Sequence, residues 1–275
     1  MSVGNIIDKK QVVANVLRAK AAQIAGSDFL LERLVGDLED RLDAHTRRFD
    51  NGLVVSPWAK HKAFMPIAAT SAAESIWRNE VLAAEPQSVE LIIDMANLHR
   101  INDVPGMLVQ YLRALKPDGL FLACVPGGDT LHELRESLTV AESELTNGVH
   151  PRILPFMDVR DAGGLLQRAG FALPVTDVDS VVVRYDTMFN LMLDLRSMGE
   201  TNVLVAREKC FARVALFERA AEYYQEKFSD EDGRVRATFS FVWMSGWAPA
   251  ASQQKPLKPG SATHSLADVL KGQTS

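Results

Sequence analysis

The chain reads as an α/β protein built on a mostly parallel sheet with helices on both faces, and three consecutive stretches predict it. Residues 89–93 form a short apolar, β-branched run of the kind that fits a strand buried on both faces. Asn102 and Asp103 then offer N-cap side chains, Pro105 sits in the first helical turn, and Val104, Leu108, Leu112 and Leu115 recur at helical spacing. Lys116-Pro117-Asp118-Gly119 stops that helix, because proline cannot continue it and glycine accepts a left-handed turn; residues 120–125 read as a second buried strand. Strand, crossover helix and parallel strand make one right-handed βαβ unit.

The other elements follow in order. Residues 8–24 carry Val12, Val13, Val16, Leu17 and Ile24 at amphipathic helical spacing, a stripe that packs on its own domain more often than on a membrane. Ser27 and Asp28 cap a second helix over 29–42. Residues 53–60 hold a first strand and its following loop, and only 36 residues separate Val54 from Glu90, short for two βα units, so an element there is shortened. Past the second buried strand, Gly127-Gly128-Asp129-Thr130 caps a helix through Leu138, and residues 155–161 open another that ends at Gly170. A strand within 175–183, a helix over 185–198, a long helix over 207–228, a turn at 230–233 and a last strand over 237–243 complete the pattern. The expected division is 1–46 as N-terminal helices, 47–248 as the α/β domain with a helical insertion around 185–202, and 249–275 as a flexible tail docked by residues 266–270.

Composition narrows the function. With 275 residues, 47% of them apolar, the chain suits one large domain or one domain with an insertion. A formal charge of -5 argues against a general nucleic-acid or anionic-membrane surface. Cys124 and Cys210 fit buried or inert thiols in a reducing compartment. No apolar run of about 18 residues and no signal-peptide pattern is present, so the expectation is a soluble, cytoplasmic protein without an integral membrane segment. The six histidines are scattered, no metal site is expected, and no Gly-x-Ser-x-Gly elbow occurs.

Leu98-His99, Asn102-Asp103-Val104-Pro105 and Leu-Lys-Pro-Asp-Gly at 115–119, taken in order, resemble class I S-adenosylmethionine-dependent methyltransferases. The most similar branch contains the malonyl-carrier-protein methyltransferase of biotin synthesis and an assembly factor of respiratory complex I, and residues 127–135 and 198–202 resemble the assembly-factor side. The resemblance spans residues 28–265 and implies a Rossmann-like sandwich with an antiparallel last strand. It also implies S-adenosylmethionine as cofactor and a respiratory subunit or carrier protein as partner.

Residue by residue, the implied cofactor pocket is degenerate. Where the family has an acid followed by three spaced glycines, this chain has Val54 and then Ser56, Trp58 and Lys60. Glycines let backbone amides approach the ligand; an indole fills that volume and an ammonium sits badly beside a sulfonium. The acid near the adenine becomes Arg78, Glu80 is kept, and the second-strand acid has no clear counterpart in 64–70. Asp94, Met95 and His99 complete the pocket positions; the family's His-Trp pair is here His99-Arg100, and His99 is either a base or a hydrogen-bonded structural residue. Asp129, Glu133, Arg135, Arg152, Arg196 and Glu200 are candidates for meeting a substrate or partner, or else helix caps and solvated ion pairs. Two functions follow: a methyltransferase-like pseudoenzyme acting through a protein partner, which these losses favour, and an active enzyme that methylates or hydroxylates a protein side chain.

Overall fold

The computed structural model describes residues 4–22, 24–64, 69–71, 76, 79–146, 148–210 and 212–254. Among the described residues six strands form one sheet: β1 (Gly52–Val55), β2 (Ala69–Ser71), β3 (Val89–Met95), β4 (Leu115–Pro126), β5 (Ala172–Tyr185) and β6 (Val235–Trp247), in the order β2-β1-β3-β4-β6-β5. The first four in that order are parallel, and β6 runs antiparallel to both its neighbours. The expected mostly parallel sheet with an antiparallel final strand is therefore present. Its front edge is short, since β2 has three residues.

Strand alternation distributes the core to two faces. Leu91 and Ile93 join Leu122 and Trp243 under α2 (Phe29–Asp43), α4 (His132–Leu145), α6 (Met188–Ser197) and α7 (Val214–Phe228). Ile92 joins Phe121, Val242 and Met244 under α3 (Val104–Ala114) and α5 (Val159–Ala169). The N-terminal α1 (Lys9–Ala22) packs against α6.

Several local expectations are corrected. The Lys116-Pro117-Asp118-Gly119 stretch belongs to β4, and the left-handed residue in it is Asp118 (φ 62°), not the glycine. Gly119 is needed for space, because a Cβ there would lie 2.9 Å from the Lys116 carbonyl oxygen and 3.1 Å from that of Glu90. The 127–130 stretch does not cap its helix: α4 begins at His132 behind a left-handed Leu131 (φ 56°) with no side-chain cap. Thr130 is turned to β6 instead, its Oγ1 donating to the Ser240 carbonyl at 2.6 Å and accepting from the Ser240 amide at 3.1 Å. The long helix starts at Val214 rather than near 207. Arg78 and residues 266–270 lie outside the described residues.

Capping at α3 follows the sequence: Asp103 Oδ1 accepts from the Gly106 amide at 2.9 Å, and proline occupies the first turn. The same helix supplies Tyr111 to a fully buried carboxylate. Asp94 Oδ2 accepts from Tyr111 Oη at 2.6 Å and Asn97 Nδ2 at 2.8 Å, and Oδ1 from the Leu98 amide at 3.2 Å. Burial raises the Asp94 carboxyl to about 6, against the pull of these donors. With the folded value above the unfolded one, the group's contribution to stability is full below pH 3.8 and is lost as pH rises through about 6. Tyr111→Phe removes the phenolic donor to the ionised form and should cost about 1.5–3 kcal/mol at pH 7.5. The loss should be smaller at pH 5, where Asp94 is mostly protonated; urea unfolding at the two pH values measures both.

Candidate functional site

A cavity of about 790 Å³ opens past the carboxyl ends of the parallel strands, where ligands of open α/β sheets bind. Trp58 and Lys60 reach it from the loop after β1, Ala96 from the turn after β3 and Pro126 from the end of β4. Its remaining wall is mainly apolar, with Leu34 from α2, Leu134 and Leu138 from α4, Leu195 from α6, and Phe239 and Phe241 from β6.

The loop after β1 is closed on itself. The Trp58 amide donates to Ser56 Oγ at 3.2 Å, the Ala59 amide to the Ser56 carbonyl at 3.2 Å, the His61 amide to that of Trp58 at 2.7 Å, and the Phe64 amide to that of His61 at 3.0 Å. Four amides are thereby engaged in successive tight turns. Trp58 and Lys60 do not fill the cavity, as the sequence led us to expect; they stand on its wall, Trp58 half-buried with the Lys20 ammonium 5.8 Å from its ring centre, Lys60 exposed.

The other described pocket positions are also engaged within the fold. Val54 is a buried β1 residue and Ser56 is buried beside it. Glu80 accepts from the amides of Asn102 and Asp103 at 3.0 and 3.1 Å and pairs with Lys9 at 3.2 Å, tying the N-terminal helix to the segment before α3. Asp94 is sealed beneath Tyr111, and Met95 is fully buried. His99 and Arg100, buried side by side, both bind Glu200: His99 Nε2 lies 3.2 Å from Glu200 Oε2, and Arg100 Nη2 donates to Oε1. Burial opposes the Glu200 charge, yet Arg100 and His99 pull its carboxyl down to about 2. His99 is held in this cluster through Nε2 alone, its buried Nδ1 having no hydrogen-bond partner among the described residues.

Of the substrate candidates, Arg152 and Glu200 are on the cavity wall. Arg152 is held by Glu142 at 2.7 Å and Glu208 at 3.3 Å; burial works against the Glu142 charge, but Arg152 and His150 bring that carboxyl to about 2. Glu133 is buried against β6, accepting from the Thr238 amide at 3.1 Å and Thr238 Oγ1 at 2.5 Å. Arg135 reaches the Thr130 carbonyl at 3.3 Å, while Asp129 and Arg196 are exposed and away from the wall.

The structure also assembles residues that the sequence left scattered. Asp28, Glu32 and His61 bring ligand atoms within 4.8 Å of one another beside the cavity, and so do Glu142, His150 and Glu208. The first group is accounted for by ion pairs: His61 Nε2 is 2.9 Å from Asp28 Oδ2, and Lys62 is 3.0 Å from Glu32. In the second, Arg152 already supplies the cation. Helical spacing of Asp28 and Glu32 was visible in the sequence; the arrival of His61 was not. The acid and glycine set that the family resemblance implies for S-adenosylmethionine is not matched by the groups present.

No protein-family profile matches the chain. It is 43% identical over 192 residues to the mitochondrial arginine-hydroxylase NDUFAF5 of Danio rerio, covering 70% of this chain and 60% of that protein. The Homo sapiens counterpart is 42% identical over 192 residues, with 70% and 55% covered. The malonyl-[acyl-carrier protein] O-methyltransferase of Laribacter hongkongensis is 31% identical over 181 residues, with 66% and 58% covered. The chain therefore spans less than two thirds of the length of these relatives. A Bacillus halodurans protein crystallised as a candidate methyltransferase superposes with a TM-score of 0.50 at 15% identity, covering 78% of this chain and all of that one, which is a likeness of fold. The cytoplasmic expectation is overturned, because the relatives at 43% and 42% identity are named as mitochondrial proteins. The chain thus has the Rossmann-like fold of class I methyltransferases and is similar in sequence to arginine hydroxylases and malonyl-carrier-protein methyltransferases.

Proposed function

We propose that this chain is a methyltransferase-fold protein that does not use S-adenosylmethionine and acts by binding a protein partner, in the manner of an assembly factor. One observation carries the reading: among the described cofactor positions, the loop amides, Glu80 and Asp94 are engaged inside the fold. Four amides of the loop after β1 serve its own turns, Glu80 bridges Lys9 and the α3 entry, and Asp94 lies beneath Tyr111. The carboxylates on the described cavity wall, Asp28 and Glu200, are paired with His61 and with Arg100 and His99. Neither is available to a sulfonium, a ribose or an arginine guanidinium without breaking a charged contact.

The surface best suited to a partner is the free edge of β5, the last strand of the sheet, where Val175, Val178 and Val182 are exposed over a 14-residue strand. An open edge presents unpaired amides and carbonyls to which an extended segment can add. A second reading, an active side-chain modifying enzyme like the arginine hydroxylases among its relatives, draws on the position of the cavity at the strand ends.

Calorimetric titration with S-adenosylmethionine separates the two. No heat of binding is expected; a micromolar Kd, about -8 kcal/mol, would establish the enzyme reading. Glu200→Gln should act on stability, costing about 3 kcal/mol or more in urea unfolding because Arg100 is left buried without its countercharge. The tagged chain should recover a specific partner from cells, and the double change Val178→Lys, Val182→Lys should abolish recovery while leaving the circular dichroism intact. Recovery of nothing above background by the unmodified chain would sink the partner reading.

A further inference from the structure

The cavity survives although its polar neighbours are engaged elsewhere, and its wall has a definite chemical character. Leu34, Leu134, Leu138, Leu195 and Phe239 come from four separate elements to form a continuous apolar lining. Charge on the wall is unbalanced in one direction. Asp28 is paired with His61, Glu200 with Arg100, and Arg152 with Glu142. Lys60, exposed at the mouth, has no ion-pair partner among the described residues, and the Lys20 ammonium stands over the Trp58 ring nearby. The site thus offers an apolar interior, a cationic rim and no uncommitted carboxylate among its described residues.

We propose that this cavity binds a single-chain aliphatic anion, with the hydrocarbon chain among the leucines and its anionic head at Lys60. The inference rests on the reading that S-adenosylmethionine does not occupy this space. A nucleoside would require acceptors for its hydroxyls and amino groups, and Glu80 and Asp94 face other partners. An alkyl chain requires none, and its transfer from water to this wall is favourable in proportion to its length. A volume of about 790 Å³ is within the range of roughly 300–1,000 Å³ typical of small-molecule sites. The head group fixes orientation, since a charge-assisted contact to an ammonium at the rim avoids burying the anion.

The full chain is titrated with dodecanoate, octanoate and dodecylammonium, each below its micelle concentration, and with vesicles of an anionic phospholipid. Dodecanoate should bind with micromolar affinity, and binding should weaken by up to roughly fourfold per methylene removed. Dodecylammonium should bind at least about tenfold more weakly than dodecanoate, as should dodecanoate to Lys60→Glu, while Lys60→Arg retains binding. Lys60 is exposed, so these variants should keep the fold. The proposal is overturned by absence of dodecanoate binding, by equal affinity for the dodecyl cation, by indifference to Lys60→Glu, or by binding to vesicles alone. A parallel titration tells this failure from that of the underlying reading: if S-adenosylmethionine displaces dodecanoate, the cofactor reading returns and both fall; if neither ligand binds, only the aliphatic anion is lost.

Discussion

A carboxylate buried in the middle of the sheet sets the geometry on which the rest of this structure depends. Asp94 is fully enclosed at the end of β3, and an enclosed acid must be hydrogen-bonded or neutral. Tyr111 meets it from α3, while Asn97 and the Leu98 amide meet it from the turn that follows, which forces the chain into a short 3-10 helix, Leu98–Arg100. That helix delivers His99 and Arg100 to Glu200, a hundred residues later. The segment after α6 is then gripped from the other side by α1: Asn15 Nδ2 donates to the Thr201 carbonyl at 2.9 Å, Arg18 to Thr201 Oγ1 at 2.9 Å, and the Asp8 amide to the Val203 carbonyl at 2.8 Å. One wall of the cavity is therefore a consequence of how a single acid is satisfied.

Backbone strain marks the other boundary. Ala96 and Leu131, both on the cavity wall, have φ of 53° and 56°, a left-handed conformation that costs a side-chain-bearing residue about 1–2 kcal/mol. Each is held by a hydrogen bond to a neighbouring strand, the Ala96 amide to the Cys124 carbonyl at 2.9 Å and the Leu131 amide to the Thr238 carbonyl at 2.8 Å. The chain turns sharply away from β3 and β4 at these points, so the space above the strand ends stays clear. Strain of this kind persists only where surrounding contacts over-determine it.

Periodicity made the fold legible. The apolar, β-branched run in 89–93, the helical spacing from Val104 to Leu112 and the breaker at 116–119 identified the central βαβ unit, because each reports a local steric or hydrophobic rule. What failed was also local in form but non-local in cause. Leu131 takes the left-handed position before α4 because Thr130 is bonded to Ser240, 110 residues away. Asp118 rather than Gly119 turns left-handed because the glycine is fixed by the approach of two backbone carbonyls. The site was less legible for the same reason. Glu80 reads in sequence as a kept pocket acid and Glu200 as a substrate candidate or solvated ion pair, and only folding reveals the amides and cations that hold them. His61 gives no sign in sequence of its partner Asp28, 33 residues earlier.

Volume and recognition are controlled by different parts of this molecule, which explains how one can be kept when the other changes. The cavity's size follows from the packing of α2, α4 and α6 over the sheet, through leucines that belong to the main apolar core and cannot be altered without loss of stability. Its chemistry follows from the loop after β1 and from the charged side chains on its wall. In the loop after β1 the amides of Trp58, Ala59, His61 and Phe64 close the turns on themselves, and Lys60 stands exposed at the rim. Trp58 does not close the chamber, because the indole lies on the wall with the space beside it still open. Ser56, Glu80 and Asp94 are satisfied within the fold, and the chamber above the strand ends is walled mainly by hydrocarbon, with lysines at its edge.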